Sequence, residues 1–340
     1  MTERDKSYWI EQAKERLLAQ EKAADSGVAD LFFLYEEAAA EIETEIAALY
    51  GKYAKDNQLT PAEAGKLLSG KEYRVWKKSI EEYIEEVKAT KRAAKSSRTL
   101  LELNTLTMKS RISRKEQLLS SIYQAMIRLA GDEEMSLEKL FGETLKINYY
   151  EGCFRIQKGF GIGFDVARFD EKLVRRVLDY PWSTKTFSTA VWDNVDRLAA
   201  VTRSQISLGF AKGSGVQEIS RNIRQLMDSG KYAAERLVRT EFKYFANQGE
   251  LYAYKENGVK KYRFVGGSEG STASCHCEDW NGEIIPVEEA KAGENFPPLH
   301  PNCKCTVVAW FDKSVFDAKP GVQPLKENIK FAEWKKKYVA

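Results

Sequence analysis

Over its first 145 residues the chain repeats apolar positions with a helical period. In LFFLYEEAAAEIETEIAALYGKYAK, Leu31, Leu34, Tyr35, Ala38, Ile42, Ile46 and Leu49 recur at three- and four-residue steps, which places them on one stripe of a helix. Such a stripe must pack on another helix. Gly and Pro are sparse here, so residues 5 to about 145 read as helix after helix. Breaks are expected at DSG (Asp25 to Gly27), at NQLTPAEAG with Thr60 as cap and Pro61 at the first helical position, and at LAGDEEMSLEKLF with Ser136 as cap. Gly159, Gly161 and Gly163 then alternate, and Phe164 stands where a phosphate-binding G-x-G-x-x-G needs its last glycine, so they read as a flexible connection. Helices resume between 165 and 257 as WDNVDRLAAVTRSQISLGFAKGSG, VQEISRNIRQLM and KYAAERLVRTEFKYFANQGELYAYKENG, with a turn at Ser214 and Gly215. Beyond Gly258 the period shortens to two. VKKYRFVGG, EIIPV and CTVVAWF read as strands set among Gly, Ser and Pro.

The pattern gives a mainly α protein with a small C-terminal α+β unit. Its segments are a helical bundle or hairpin array over 1–150, a domain over 165–312, and a basic tail over 313–340. Within 165–312, helices fill 165–257 and a small β-rich Cys/His unit fills 259–312. The length of 340 residues allows two or three such units, each with a core. The start MTERDKSYWIEQAKER is charged from its third residue, and no apolar run reaches about 18 residues. Neither a signal peptide nor a membrane span is expected, and the protein is expected to be made and kept in the cytosol.

Rare residue types change the picture. The chain holds 5 cysteines and 2 histidines, and both histidines with four of the cysteines fall between Ser271 and Trp310. The order C-x-C, a gap, then H-x-x-C-x-C offers thiolate and imidazole donors from two loops, which is how a tetrahedral zinc site is assembled. The candidate ligands are Cys275, Cys277, His300, Cys303 and Cys305, with zinc in a structural role. A reduced, metal-free cluster and a redox or nucleophilic role are the alternatives. An odd number of cysteines in a reducing compartment argues against a disulfide framework, and Cys153, far from the cluster, reads as a core thiol.

Net charge is +3, yet it is unevenly spread. Lys88, Lys91, Arg92, Lys95, Arg98, Lys109, Arg111, Arg114 and Lys115 face only Glu102 in their stretch, a local sum of +8. This block is either a solvated helix face or a contact for a polyanion such as double-stranded DNA. On a helix Arg239 and Glu241 point about 200° apart, so each needs its own partner, and a buried ion pair is the expectation for either. An enzyme would ask Glu241 for acid or base work and Arg239 for phosphate, but no third residue identifies itself. Tyr8, Trp9, Tyr73, Trp76, Trp182 and Trp192 read as core aromatics.

The order RLVRTEFKYFANQGELYAYKENGVKKYRF, a cysteine loop ending in DWNGEI, and PPLHPNCKC resembles the C-terminal domain of the phage Mu F-like minor head proteins. The resemblance rests on Arg239, Thr240, Glu241, Asn247, Gly258, Cys277, Gly282, His300, Pro301, Cys303 and Cys305, and covers roughly 180 to 312. Two departures stand out: Ser274 occupies the place of the family's first cysteine, with Cys275 one residue late, and Lys304 replaces the usual Arg. The resemblance implies a non-enzymatic minor structural protein of a tailed-phage head, of Gram-positive phage or prophage type. It would sit near the portal vertex and act in head morphogenesis, DNA packaging or ejection. Implied partners are the portal protein, the major capsid or scaffold protein, and double-stranded DNA bound without sequence preference; a membrane is not among them. The implied location is the head interior of the virion, and the host cytoplasm during assembly. A phage-delivered nuclease or nucleotide-modifying effector, and a scaffold that touches no nucleic acid, are the alternatives.

Overall fold

The computed structural model describes residues 3–57, 114–212, 214–266, 277–311 and 321–339. Most of these are helical. In chain order the elements are α1 (Glu3–Asn57), α2 (Arg114–Phe160), β1 (Ile162–Gly163), α3 (Glu171–Leu178), α4 (Phe187–Lys212), α5 (Val216–Glu256), β2 (Lys261–Val265), α6 (Cys277–Trp280), β3 (Ile284–Pro286), β4 (Thr306–Trp310), β5 (Gln323–Pro324) and α7 (Phe331–Tyr338). The expected class, mainly α with small strands near the C-terminus, is what the chain adopts. No described helix is long and apolar enough to cross a membrane.

Three expected breaks are absent. Helix α1 runs through Asp25–Gly27, α2 runs through the Ser136 stretch, and α5 joins two segments read as separate helices across Asp228–Gly230. Both DSG glycines are packing positions rather than stops. A Cβ on Gly27 would lie 2.5 Å from Leu140 Cδ2, and one on Gly230 would lie 2.7 Å from Tyr35 Cε1. Close approach of neighbouring side chains there outweighs the low helix propensity of glycine, which is worth only about 1 kcal/mol. The expected turn at Ser214 and Gly215 does separate α4 from α5, with Ser214 N–H donating to the Gly209 carbonyl at 2.9 Å. The Gly159–Gly163 stretch is ordered rather than a flexible link. Gly161 ends α2 at φ +65, a left-handed turn that glycine adopts without steric cost. Ile162 and Gly163 then pair antiparallel with Pro324 and Gln323.

The residues form two compact units. One comprises Ala29–Ser136 and Ser188–Glu235. Its core holds Leu31, Tyr35, Ala38, Ile42 and Ile46 from the stripe of α1, all buried, whereas Leu34 and Leu49 are half-buried. Glu133 is buried in it too, and its carboxylate accepts from Tyr35 O–H at 3.0 Å. Trp192 Nε1–H donates to Glu134 at 2.9 Å.

The other unit comprises Met1–Val28, Leu137–Phe187 and Arg236–Ala340. Its sheet has the order β3-β2-β4, antiparallel throughout, with Tyr262 opposite both Ile285 and Ala309. The larger apolar cluster of the sheet is shared with the helices. Trp9 and Ala13 of α1, Ile156 of α2, and Leu251 and Tyr254 of α5 share one apolar cluster with Tyr262, Phe296, Val307 and Phe311. Arg16 fastens α1 to β4, donating to Thr306 Oγ1 at 2.5 Å and to the Val307 carbonyl at 2.7 Å. The same guanidinium pairs with Glu250 at 2.6 Å, and Arg155 takes the second oxygen of Glu250, also at 2.6 Å. Burial alone would raise the Glu250 carboxyl, but the two guanidinium groups hold it below the usual carboxylate range. Residues 321–339 are not a free tail. Trp334 and Tyr338 are buried, Trp334 Nε1–H donates to Gln157 Oε1 at 2.8 Å, and Lys335, Lys336 and Lys337 are left exposed.

Candidate metal centre

Three donors meet at one end of the sheet. The ligand atoms of Cys277, His300 and Cys303 all lie within 4.8 Å of one another. Cys277 opens the short helix α6. His300 and Cys303 bracket a tight turn in which Cys303 N–H donates to the His300 carbonyl at 3.2 Å, with Asn302 at φ +58, a conformation that asparagine tolerates better than most residues. The sulfurs of Cys277 and Cys303 are 4.0 Å apart. His300 Nδ1 lies 2.8 Å from the Pro301 carbonyl; donation there leaves Nε2 with the free lone pair, the tautomer a metal ligand requires.

Cys277, Cys303 and Cys305 are buried and pack with Phe264 in one small cluster, with Trp280 and Leu299 against it. A hydrogen bond with Cys305 brings the Cys303 thiol down to about 5; burial opposes this, while backbone hydrogen bonds and His300 assist. Thiolate character in a buried, sulfur-rich pocket with an imidazole at its rim fits a borderline-soft divalent ion. The cluster can therefore hold a metal. Of the five expected ligands, the structure brings Cys277, His300 and Cys303 together and sets Cys305 beside them. Cys275 lies outside the described residues.

The helix beneath this loop supplies residues that spacing alone did not single out as a group. Thr240 Oγ1 accepts from Asn302 N–H at 3.0 Å, and Asn247 Nδ2–H donates to the Pro297 carbonyl at 3.2 Å. Lys243 stands between them, buried. Thr240, Lys243 and Asn247 fall at i, i+3 and i+7 on α5. A lysine on the buried stripe of an amphipathic helix was the available signal.

Glu241 and Arg239 do not form the expected buried ion pairs. Arg239 pairs with Asp25 at 2.9 Å where both side chains are exposed. Glu241 is buried and accepts from Trp182 Nε1–H at 2.9 Å, and the Trp182 ring stacks on Tyr244. Burial pushes its carboxyl up to about 7, against the lowering effect of the indole hydrogen bond. Of the expected core aromatics, Trp9 is buried, Trp182 and Trp192 are half-buried, and Tyr8 is exposed. Cys153 is a fully buried thiol, raised by burial.

Of the basic block, Lys88, Lys91, Arg92, Lys95, Arg98, Lys109 and Arg111 lie outside the described residues, as do Tyr73 and Trp76. Arg114 and Lys115 open α2, but their side chains are likewise outside the description.

Residues 201–308 match the family model described as Phage Mu protein F like protein. The match falls inside the 180–312 stretch whose motifs carry the resemblance and supports the Mu F-like assignment. Searches of curated proteins and of solved structures return no significant match to the chain.

Proposed function

With a Mu protein F-like region spanning residues 201–308 as the premise, we propose that this chain is a minor structural protein of a tailed-phage head. It acts in head morphogenesis at the portal vertex, in DNA packaging or ejection, inside the virion after assembly in the host cytoplasm. The observation that carries this reading is the family match. The sulfur-rich, buried character of the cysteine pocket agrees with it, because structural zinc sites are built mainly from cysteine thiolates.

The residues that would hold zinc are Cys277, His300 and Cys303, with a fourth donor from Cys305 or Cys275. Bound there, zinc would cross-link the α6 segment to the His300–Cys305 loop and add folding free energy to the sheet that both flank. About one zinc per chain is expected by elemental analysis, with a lower melting temperature after chelation. Zinc-free protein of unchanged stability would sink this part.

No reaction is assigned. Glu241, the most plausible acid, is buried and engaged by Trp182, so it supports the fold rather than a reacting group. DNA contact is assigned to the Lys88–Lys115 block and to the exposed Lys335, Lys336 and Lys337, which would hold phosphates and release counterions without reading bases. For about four to six neutralised phosphates, log affinity for unrelated DNA sequences falls against log salt with a slope of roughly −4 to −5. Changing Lys88, Lys91, Arg92 and Lys95 to Glu removes most of that slope. No binding even at low salt, together with capture by the neighbouring portal protein, favours an acidic protein surface as the partner of this block.

A further inference from the structure

Lys243 is a buried cation with an unusual set of neighbours. It is 8% exposed, and its ammonium donates to a neutral group, the amide oxygen of Gln20, at 3.3 Å. The charged or ionisable groups that act on it are Arg16, which repels, and Cys303, Glu21 and Cys305, which attract. Glu21 is exposed and its charge is screened by water. Glu250, the buried carboxylate in this part of the unit, is already engaged by Arg16 and Arg155. A buried ammonium is costly unless an opposite charge faces it. Among the described residues, the buried groups that attract it are the two thiols.

Charge counting gives the lysine a role. A divalent ion on the thiolates of Cys277 and Cys303 with a neutral imidazole is balanced, and a third thiolate from Cys305 leaves one negative charge in excess. Thr240 and Asn247, one turn to either side of Lys243 on α5, fix the loop that carries these sulfurs, and Lys243 lies buried between them on the same helix. We propose that Lys243 is the counter-charge of this thiolate site: its buried ammonium neutralises the excess negative charge of the metal-loaded cluster and so sets how tightly the metal is held. This rests on the metal reading above. A lysine that merely filled space would leave metal affinity unmoved.

The test uses the full chain, zinc as the ion and a chromophoric chelator as competitor, comparing wild type with Lys243→Met, which keeps the length of the side chain and removes its charge. Zinc is expected to bind about 10–100-fold more weakly to the variant, the range typical for loss of a residue supporting metal ligands. Metal-free Lys243→Met is expected to melt no lower than metal-free wild type, because it no longer buries a charge. Equal zinc affinity in the two proteins overturns the inference and leaves the metal reading standing. A wild type that binds no zinc overturns both. Should Lys243→Met fail to fold, Lys243→Arg carries the test: the retained charge keeps zinc affinity within a few-fold of wild type, and a loss of 10-fold or more overturns the role.

Discussion

A carboxyl shut away from water holds its proton more tightly than a free one, and Glu241 and Glu133 are both of this kind. Burial is the main cause for each and brings each to about 7; the Trp182 indole and the Tyr35 hydroxyl work in the opposite direction. In the unfolded chain both titrate at about 4.3. At these two sites the folded protein therefore binds more protons than the unfolded one between these values, so their contribution to stability is fullest below about pH 4 and falls as pH rises towards 7. Each group contributes up to about 4 kcal/mol of that fall. Urea unfolding measured between pH 4.5 and 8 should lose part of its slope against pH in Glu241→Gln and again in Glu133→Gln; a slope identical to wild type would refute the assignment. At this scale the sequence was legible where chemistry is rare. Cys277, His300, Cys303 and Cys305 declared themselves because soft donors are scarce and close together. Glu133 and Lys243 did not, since glutamate and lysine are common on helices and only distant segments decide whether water reaches them; Glu241 was expected to be buried, but its Trp182 partner was not legible.

At the scale of the element, helix and strand identity followed the apolar period, while helix ends did not. Asp25–Gly27 and Asp228–Gly230 carry a local stop signal, but Leu140 packs on the first glycine and Tyr35 with Leu198 on the second, and no local rule reports those neighbours. The contrast between two helical glycines makes this measurable. A Cβ on Gly230 would come within 2.7 Å of Tyr35 and 2.9 Å of Leu198, whereas one on Gly131 would meet nothing within 4 Å. Tyr35 is fully buried and has little room to yield. Gly230→Ala should therefore cost about 1–3 kcal/mol despite the better propensity of alanine, and Gly131→Ala should gain about 0.5–1 kcal/mol. Chemical denaturation of both variants decides it. A stabilised Gly230→Ala would return that glycine to the role of a weak helix point.

On the scale of the whole molecule, the small C-terminal sheet was expected to be a unit by itself, and its strands were placed correctly. What the strands could not reveal is that their core is completed by Trp9, Ala13 and Ile156, since an apolar helix face does not name the surface it covers. Arg16 is the polar counterpart of that shared core. Its replacement by Met leaves the Thr306 hydroxyl without its Arg16 donor, the Val307 carbonyl with only the longer bond from Tyr254 O–H, and one oxygen of the buried Glu250 without its cation, and should cost about 3–5 kcal/mol. Proteolysis of Arg16→Met should cut within the sheet as well as within α1; cuts confined to α1 would mean that the sheet stands without it. The span of this link also bears on synthesis. Arg16 and Thr306 are 290 residues apart, and a ribosome adding about 5–20 residues per second needs roughly 15–60 seconds to cover that distance. During that interval the apolar face carrying Trp9 and Ala13 has been made but its cover has not, so a nascent chain stalled before β4 should be bound by holdase chaperones and released once the strand emerges.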